Sequence, residues 1–396
     1  MALDNTTLVG VVGAGAMGTG IAQVAAAAGH RVVLGDARQG ATAKAQAAIA
    51  KAMDREVEKE RMSRNAADEL MSRVDFQWEA LGEDLSAYAR CGLIVETVVE
   101  DLDVKQSLFR RLESVAARDC VLATNTSSLS IATIATACET SERVIGLHFF
   151  NPAPVMALVE IVPWLGGDPM IATACYTLMQ KWTKTPVLAS DTPGFIVNRV
   201  ARPFYGESLR LLDEGAADVA TIDWAMKELG GFRMGPFELM DFIGNDVNYA
   251  VTRSVFEAMF FDPRYKPSLT QKRLVESNFL GKKSGRGYYD YRAGASPPVA
   301  NKDAKTGAVI FERVLAMLIN EAIDAVFMQV ASAADVDLAM TKGVNYPKGL
   351  LAWANELGLS RVLGWLEALQ AEYGEDRYRP SPLLRRMARD GRRFFA

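Results

Sequence analysis

The sequence contains only two histidines, His30 and His148, in 396 residues. Any imidazole chemistry therefore rests on one of two positions. Its four cysteines, Cys91, Cys120, Cys138 and Cys175, are scattered. None forms a CxxC pair or zinc spacing, so a dithiol or zinc site is excluded, and inert thiols in a reducing compartment are expected. No apolar run approaches the roughly 18 residues of a membrane span. Residues 1–7, MALDNTT, lack the basic start of a signal sequence. A net charge of −4 leaves no basic excess for nucleic acid or an anionic membrane. What remains is an ordinary soluble composition, 49% hydrophobic and 23% charged. The length suggests about two or three domains. A soluble cytoplasmic protein without metal, membrane or nucleic-acid partner is expected.

What is present begins with an apolar strand, Leu8–Val12, running into Gly13-Ala14-Gly15-Ala16-Met17-Gly18. An Ala-rich helix follows over 19–28, then a second strand over 31–35 that ends at Asp36. This is the G-x-G-x-x-G fingerprint in its required setting of strand, helix and a later acidic residue. Gly13 makes the tight turn, Gly15 lets the backbone approach a pyrophosphate, and Gly18 allows close helix–strand packing. The helix N-terminus offers free N–H groups and a positive dipole to phosphates. Asp36 would take ribose hydroxyls and repel a 2′-phosphate, which favours NAD over NADP. Arg38 nearby is a cation that argues the other way. FAD shares the fingerprint, but no later motif supports it.

Further apolar runs at 92–99, 121–124 and 144–147 alternate with helical stretches such as 103–118. Such alternation predicts a doubly wound parallel sheet, which binds ligands at its carboxyl edge. Three polar motifs fall at strand ends there: Glu96-Thr-Val-Val-Glu100, Asn125-Thr126-Ser127-Ser128 and His148-Phe-Phe-Asn151. Beyond the last, Pro152 and Pro154 mark a turn, and a second apolar run over 155–162 carries Glu160. Two strands joined by a short turn can set His148 beside Glu160. A carboxylate there fixes the imidazole tautomer and raises its basicity, as a general base requires. His30 lies in a helix-to-strand turn and is expected to be structural. The charged stretch Lys51–Arg64 reads as a solvated helix face, or alternatively as a clamp for a phosphorylated ligand.

The chain resembles the 3-hydroxyacyl-CoA dehydrogenase family. The resemblance is carried by Gly13–Gly18, Asn125-Thr-Ser127-Ser-Leu, His148-Phe-Phe-Asn151-Pro, Asp191-Thr-Pro-Gly-Phe-Ile-Val-Asn198-Arg, Met234-Gly-Pro-Phe-Glu238 and Gly281-Lys-Lys283-Ser-Gly-x-Gly-Tyr. These motifs follow in order from residue 8 to about 291. The resemblance implies an α/β Rossmann-like domain followed by all-α domains of the 6-phosphogluconate-dehydrogenase-like type. It implies NAD-dependent oxidation of the 3-hydroxyl of an acyl-CoA, a step of fatty-acid β-oxidation. It assigns His148 as base, Glu160 as its partner, and Ser127 and Asn198 as contacts to the reacting end. It places Glu100, Lys105, Asn151 and Lys283 on the nicotinamide side. Gly13, Gly15, Met17, Gly18, Asp36 and Asn125 complete the expected cofactor set. The alternatives are a dehydrogenase of free 3-hydroxy acids, which would use a lysine in the helical domain, and an inactive structural protein of the same fold. No residues are left over for a crotonase-like domain, so hydratase activity is not expected.

From Gly194 the pattern takes helical period, with segments at 196–214, 219–229, 236–260 and 268–279. Residues 292–299 read as a linker, and helical patterning resumes at Ala308. The resumed part repeats the earlier one without gaps. Glu207 matches Glu321, Asp223 matches Asp337, Met226 matches Met340, Gly235 matches Gly349 and Gly244 matches Gly358, all at one shift (321 − 207 = 114). By that shift Asn198 falls on Glu312, and Pro236 and Phe237 fall on Leu350 and Leu351. The second copy is therefore expected to be structural. The expected organisation is a cofactor domain over 1–189, a helical domain over 190–291, a linker over 292–305 and a degenerate helical copy over 306–396. Short members of the resembled family dimerise through their helical domains. A fused copy packed on residues 190–290 would make an internal pseudo-dimer in a monomer, with a homodimer as the other arrangement. The terminal Phe394 and Phe395 are expected to dock on the body or to fray.

Overall fold

The computed structural model describes residues 3–77 and 84–395. It divides into two compact units, Met1–Thr192 and Pro193–Ala396.

The first unit is built on an eight-stranded sheet in the order β3-β2-β1-β4-β5-β6-β7-β8. Its strands are β1 (Val9–Val12), β2 (Val32–Gly35), β3 (Val74–Gln77), β4 (Leu93–Glu96), β5 (Val121–Thr124), β6 (Val144–Phe149), β7 (Leu158–Val162) and β8 (Thr185–Leu188). β1, β2, β4, β5, β6 and β7 are buried at every position, which is why they read as continuous apolar runs. The sheet is parallel except where β7 runs back against β6. The expected run at 92–99 is strand only over Leu93–Glu96; beyond it the Thr97 hydroxyl reaches across to the Val12 and Gly13 carbonyls. The edge strands β3 and β8 are no shorter than β1, β2, β4 and β5, but their burial is mixed, so they do not read as continuous apolar runs.

Helices α1 (Ala16–Ala27), α2 (Ala41–Glu58), α3 (Arg64–Ser72), α4 (Leu102–Val115), α5 (Ile131–Ala135) and α6 (Pro169–Lys181) connect the strands. The stretch expected as one charged helix at 51–64 is the end of α2 and the start of α3. Glu60, at φ 57, breaks the chain between them, and the Ser63 side chain caps α3. His30 is fully buried, with Nδ1 2.9 Å from the Thr7 carbonyl and its ring edge-on to Trp182. That is the structural role expected of it.

The second unit is helical: α7 (Val197–Val200), α8 (Arg202–Asp213), α9 (Val219–Glu228), α10 (Pro236–Ile243), α11 (Asn245–Ala258), α12 (Leu269–Glu276), α13 (Ala304–Phe327), α14 (Ala333–Gly343), α15 (Leu350–Leu357), α16 (Leu359–Tyr373) and α17 (Pro382–Arg389). The segment read as one helix over 236–260 breaks at Gly244, whose φ of 106 no L side chain adopts cheaply. The later helix begins at Ala304 rather than Ala308, because Asp303 accepts the Thr306 N–H and caps it. The terminal Phe394 and Phe395 backbones are held by the Asn355 side chain.

The two helical copies match in detail. Asp223 accepts the Phe237 and Glu238 N–H groups at the start of α10, and Asp337 accepts those of Leu351 and Ala352 at the start of α15. A Cβ on Gly235 would strike Asp223 at 2.3 Å, and one on Gly349 would strike Asp337 at 2.2 Å. The copies also grip each other reciprocally. Arg199 donates to Glu321 at 2.6 Å, while its counterpart Arg313 donates to Glu207 at 3.1 Å. Tyr265 donates to Glu321, and Tyr378 donates to Glu207 at 3.0 Å. Tyr378 is the counterpart of Tyr265 at a shift of 113 (378 − 265), one residue having been lost after α16. Residue i contacting j while the copy of j contacts the copy of i is the signature of an isologous interface. Both copies lie within the compact unit Pro193–Ala396.

Candidate active site

β6 and β7 place the first pair. His148 and Glu160 are register partners across their antiparallel ladder. The His148 Nδ1 lies 2.7 Å from Glu160 Oε2, with Glu160 fully buried and His148 6% exposed. A buried carboxylate this close accepts the Nδ1 proton and directs the imidazole lone pair to Nε2. Phe150 packs on the imidazole with ring centroids 4.5 Å apart.

Ser127 sits in the loop after β5, and a carboxylate organises that loop. Glu100 Oε1 accepts the Thr126 hydroxyl at 2.6 Å, the Ser127 N–H at 3.0 Å and the Ser128 hydroxyl at 3.0 Å. Burial alone would raise the Glu100 carboxyl. The Lys105 ammonium and these hydrogen bonds outweigh it and hold the group below its usual range. Lys105 itself is 1% exposed, 2.6 Å from Glu96 and 3.3 Å from Glu100. Glu96 also accepts the Thr124 hydroxyl at 2.7 Å and the Val98 N–H at 2.6 Å. The expected cofactor contact Lys105 is thus committed to two carboxylates. Glu96 and Thr126 are site residues whose roles the sequence did not reveal, since an acidic residue inside an apolar strand does not show its partner. The Asn125 side chain accepts the Phe149 N–H at 2.8 Å and ties the ends of β5 and β6 together. Asn151 is exposed in the turn after β6.

The glycine fingerprint fits a dinucleotide. Gly13 has φ 105, and a Cβ on Gly18 would lie 1.8 Å from the Gly13 carbonyl oxygen. Gly15 caps α1 with backbone alone, leaving the first-turn N–H groups for an anion. Met17 is half-buried against the core. A cavity of about 670 Å³ lies there, lined by Ala14, Gly15, Ala16, Arg38, Lys44 and Pro154 among others. Asp36 accepts the Ala14 N–H at 2.7 Å and is forked by Arg38. Burial would raise its carboxyl, but Arg38 and Ala14 overcome this and hold it low and ionised. The Arg38 side chain is 72% exposed, so ribose hydroxyls can displace it.

The remaining expected residues belong to the helical unit. Asn198 lies on α7, and its carbonyl accepts from Arg202 at 2.7 Å. Lys283 pairs with Asp246 at 2.6 Å. Among the described residues no group of acidic, histidine or cysteine side chains could hold a metal.

Two family models match this chain: the NAD binding domain of 3-hydroxyacyl-CoA dehydrogenase over residues 8–192, and the C-terminal domain of the same enzyme over 194–291 and again over 309–393. The chain belongs to the 3-hydroxyacyl-CoA dehydrogenase family. The 3-hydroxyadipyl-CoA dehydrogenase of Escherichia coli K12 is 38% identical, over 97% of this chain and 98% of its own. The human mitochondrial hydroxyacyl-coenzyme A dehydrogenase is 41% identical, over 71% of this chain and 90% of its own. A crystal structure described as the 3-hydroxybutyryl-CoA dehydrogenase of E. coli K12 superimposes with a TM-score of 0.91 at 37% identity, covering 98% of each chain. This 3-hydroxyacyl-CoA dehydrogenase oxidises 3-hydroxyacyl-CoA with NAD. Among the described residues no helix is long and apolar enough to cross a membrane.

Proposed function

We propose that His148 is the general base of this oxidation, and the observation that carries the reading is the Nδ1–Oε2 contact with Glu160 at 2.7 Å. With Nδ1 engaged, Nε2 takes the proton from the substrate O3 as the carbonyl forms. NAD supplies the acceptor for the hydride that leaves C3. The imidazolium created in this step is stabilised by Glu160, which shares its buried surroundings. In the reverse direction the imidazolium returns the proton to O3. Ser127, held by Glu100 and in turn by Lys105, donates a hydrogen bond to the reacting end, and so does Asn198 from the helical unit. Gly13, Gly15, Gly18 and Asp36 hold the adenosine diphosphate half of the dinucleotide. Glu100, Asn151 and Lys283 serve the nicotinamide side.

The second helical copy carries Glu312 where the first has Asn198, so one chain has one active site. We further infer that this copy covers, within the chain, the surface through which a short dehydrogenase would meet a partner. The reciprocal Arg199–Glu321 and Arg313–Glu207 pairs support this. NAD-linked oxidation of 3-hydroxybutyryl-CoA, followed by absorbance of the reduced cofactor, tests the catalytic reading. It fails if His148→Ala turns over at the wild-type rate.

A further inference from the structure

Two arginines lie three residues apart where α7 meets α8, and both are buried. Arg199 is 4% exposed and neutralised by Glu321 and Asp324. Arg202 is 6% exposed, and among the described residues no carboxylate lies within ion-pair distance of it. Its Nε donates to the Asn198 carbonyl at 2.7 Å and its Nη1 to the Thr252 hydroxyl at 3.1 Å. Its guanidinium lies 4.9 Å from the centre of the Tyr205 ring. Hydrogen bonds to neutral groups satisfy donors but leave the charge uncompensated. A buried charge in that state costs several kcal/mol. Tyr346, close enough for its phenol to feel this guanidinium, has a buried hydroxyl without a partner among the described residues. It lines a cavity of about 360 Å³ whose wall is partly aromatic, with Phe204, Phe232 and Phe242, and partly cationic, with Arg233 and Lys282.

The duplicated copy acts as an internal control. Counterparts of Arg202, Asn248, Thr252 and Gln271 are Ala316, Val362, Leu366 and Leu384, each fully buried. In the first copy these positions form a polar chain: Arg202 to Thr252, Thr252 to the Asn248 carbonyl, and Gln271 to the Asn248 side chain. The helical fold therefore does not need a cation at this position. The copy that has lost Asn198 has lost the cation too.

We propose that Arg202 is an anchor for a carboxylate at the far end of the acyl chain, so that the substrate is a dicarboxylic 3-hydroxyacyl-CoA. This rests on the reading that Asn198 meets the reacting end of the substrate. A guanidinium one helical turn from that residue lies a few carbon atoms along the chain, and its fork matches a carboxylate. The phosphates of coenzyme A sit at the opposite end of the thioester and do not suit a buried anchor here. A carboxylate would supply both the missing charge and an acceptor for buried donors.

The test compares 3-hydroxyadipyl-CoA with 3-hydroxyhexanoyl-CoA, which have the same chain length and differ in the terminal carboxylate. The wild-type enzyme is expected to show the higher kcat/KM on the dicarboxylic thioester. Arg202→Ala, the residue of the second copy, is expected to lower that preference by about 30-fold or more, and Arg202→Lys to restore part of it. The loss should appear mainly in KM for the dicarboxylic thioester. A wild-type preference for the hexanoyl thioester overturns the proposal without any variant. An equal fall on both substrates assigns Arg202 a structural role and also overturns it. Oxidation of neither thioester by the wild type overturns the catalytic reading itself, a separate and recognisable result.

Discussion

His148 and Glu160 face each other across an antiparallel pair of strands, with Nδ1 and Oε2 2.7 Å apart. In the proposed mechanism this bond fixes the imidazole tautomer and Nε2 takes the proton, so each half can be tested separately. His148→Ala is expected to lower kcat by about 10²–10⁴-fold with little change in KM. Glu160→Gln keeps the shape but allows the wrong tautomer, and is expected to lower kcat while NAD binding is retained. Steady-state kinetics with titrated NAD checks both. A main effect on KM would count against the assignment.

Gly18 has no room for a side chain, since its Cβ would overlap the Gly13 carbonyl. Gly18→Ala is expected to abolish measurable NAD binding by calorimetry. The helical unit, which has its own core, should still give native circular dichroism at 222 nm.

Lys105 neutralises two carboxylates from a buried position. Lys105→Met leaves Glu96 buried without its cation, which costs about 3–5 kcal/mol. It should also loosen the Thr126–Ser128 loop that Glu100 gathers. Chemical denaturation measures the first effect. The second predicts a lower kcat in protein that remains folded.

Arg199 and Glu321 join the helical copies. Glu321→Gln removes one of the carboxylates that Arg199 and Arg264 share, leaving Asp324 to both, and is expected to lower stability by about 3 kcal/mol. Sedimentation should show wild-type protein with no obligate dimer built through residues 190–290. Such a dimer would contradict the internal pairing proposed for the two copies.

Acid should attack the same interface through Glu207. Burial would raise its carboxyl, but Arg210, Arg313 and Arg377 outweigh it and hold the group below its usual range. The unfolded chain then binds more protons than the folded one at low pH. The stabilisation is present above the unfolded value of about 4.3 and is lost as pH falls through the lower folded value. An acid titration followed at 222 nm should unfold below about pH 4. Glu207→Gln should flatten that dependence and lower stability at neutral pH.

The sequence by itself determined the sheet of the first unit, because its central strands are buried on both faces and read as unbroken apolar runs. It determined the dinucleotide turn, because Gly13 and Gly18 are sterically required. It also showed the helical repeat, since Asp223–Gly235 and Asp337–Gly349 keep their spacing as matched helix starts. His148 and Glu160 were legible as a pair because a short turn between two strands leaves few other arrangements.

Tertiary structure decided what depends on partners distant in the chain. It showed that Lys105 is held by Glu96 and Glu100 beneath the serine loop, which no spacing rule encodes. It broke two expected helices, at Glu60 and Gly244, where local backbone conformation outweighed periodicity. It revealed that Arg199 is neutralised by residues more than a hundred positions away, whereas Arg202 nearby has no carboxylate partner among the described residues. Two arginines in one helical stretch look alike as letters. Their difference lies in which carboxylates the fold brings to each, and burial makes that difference costly.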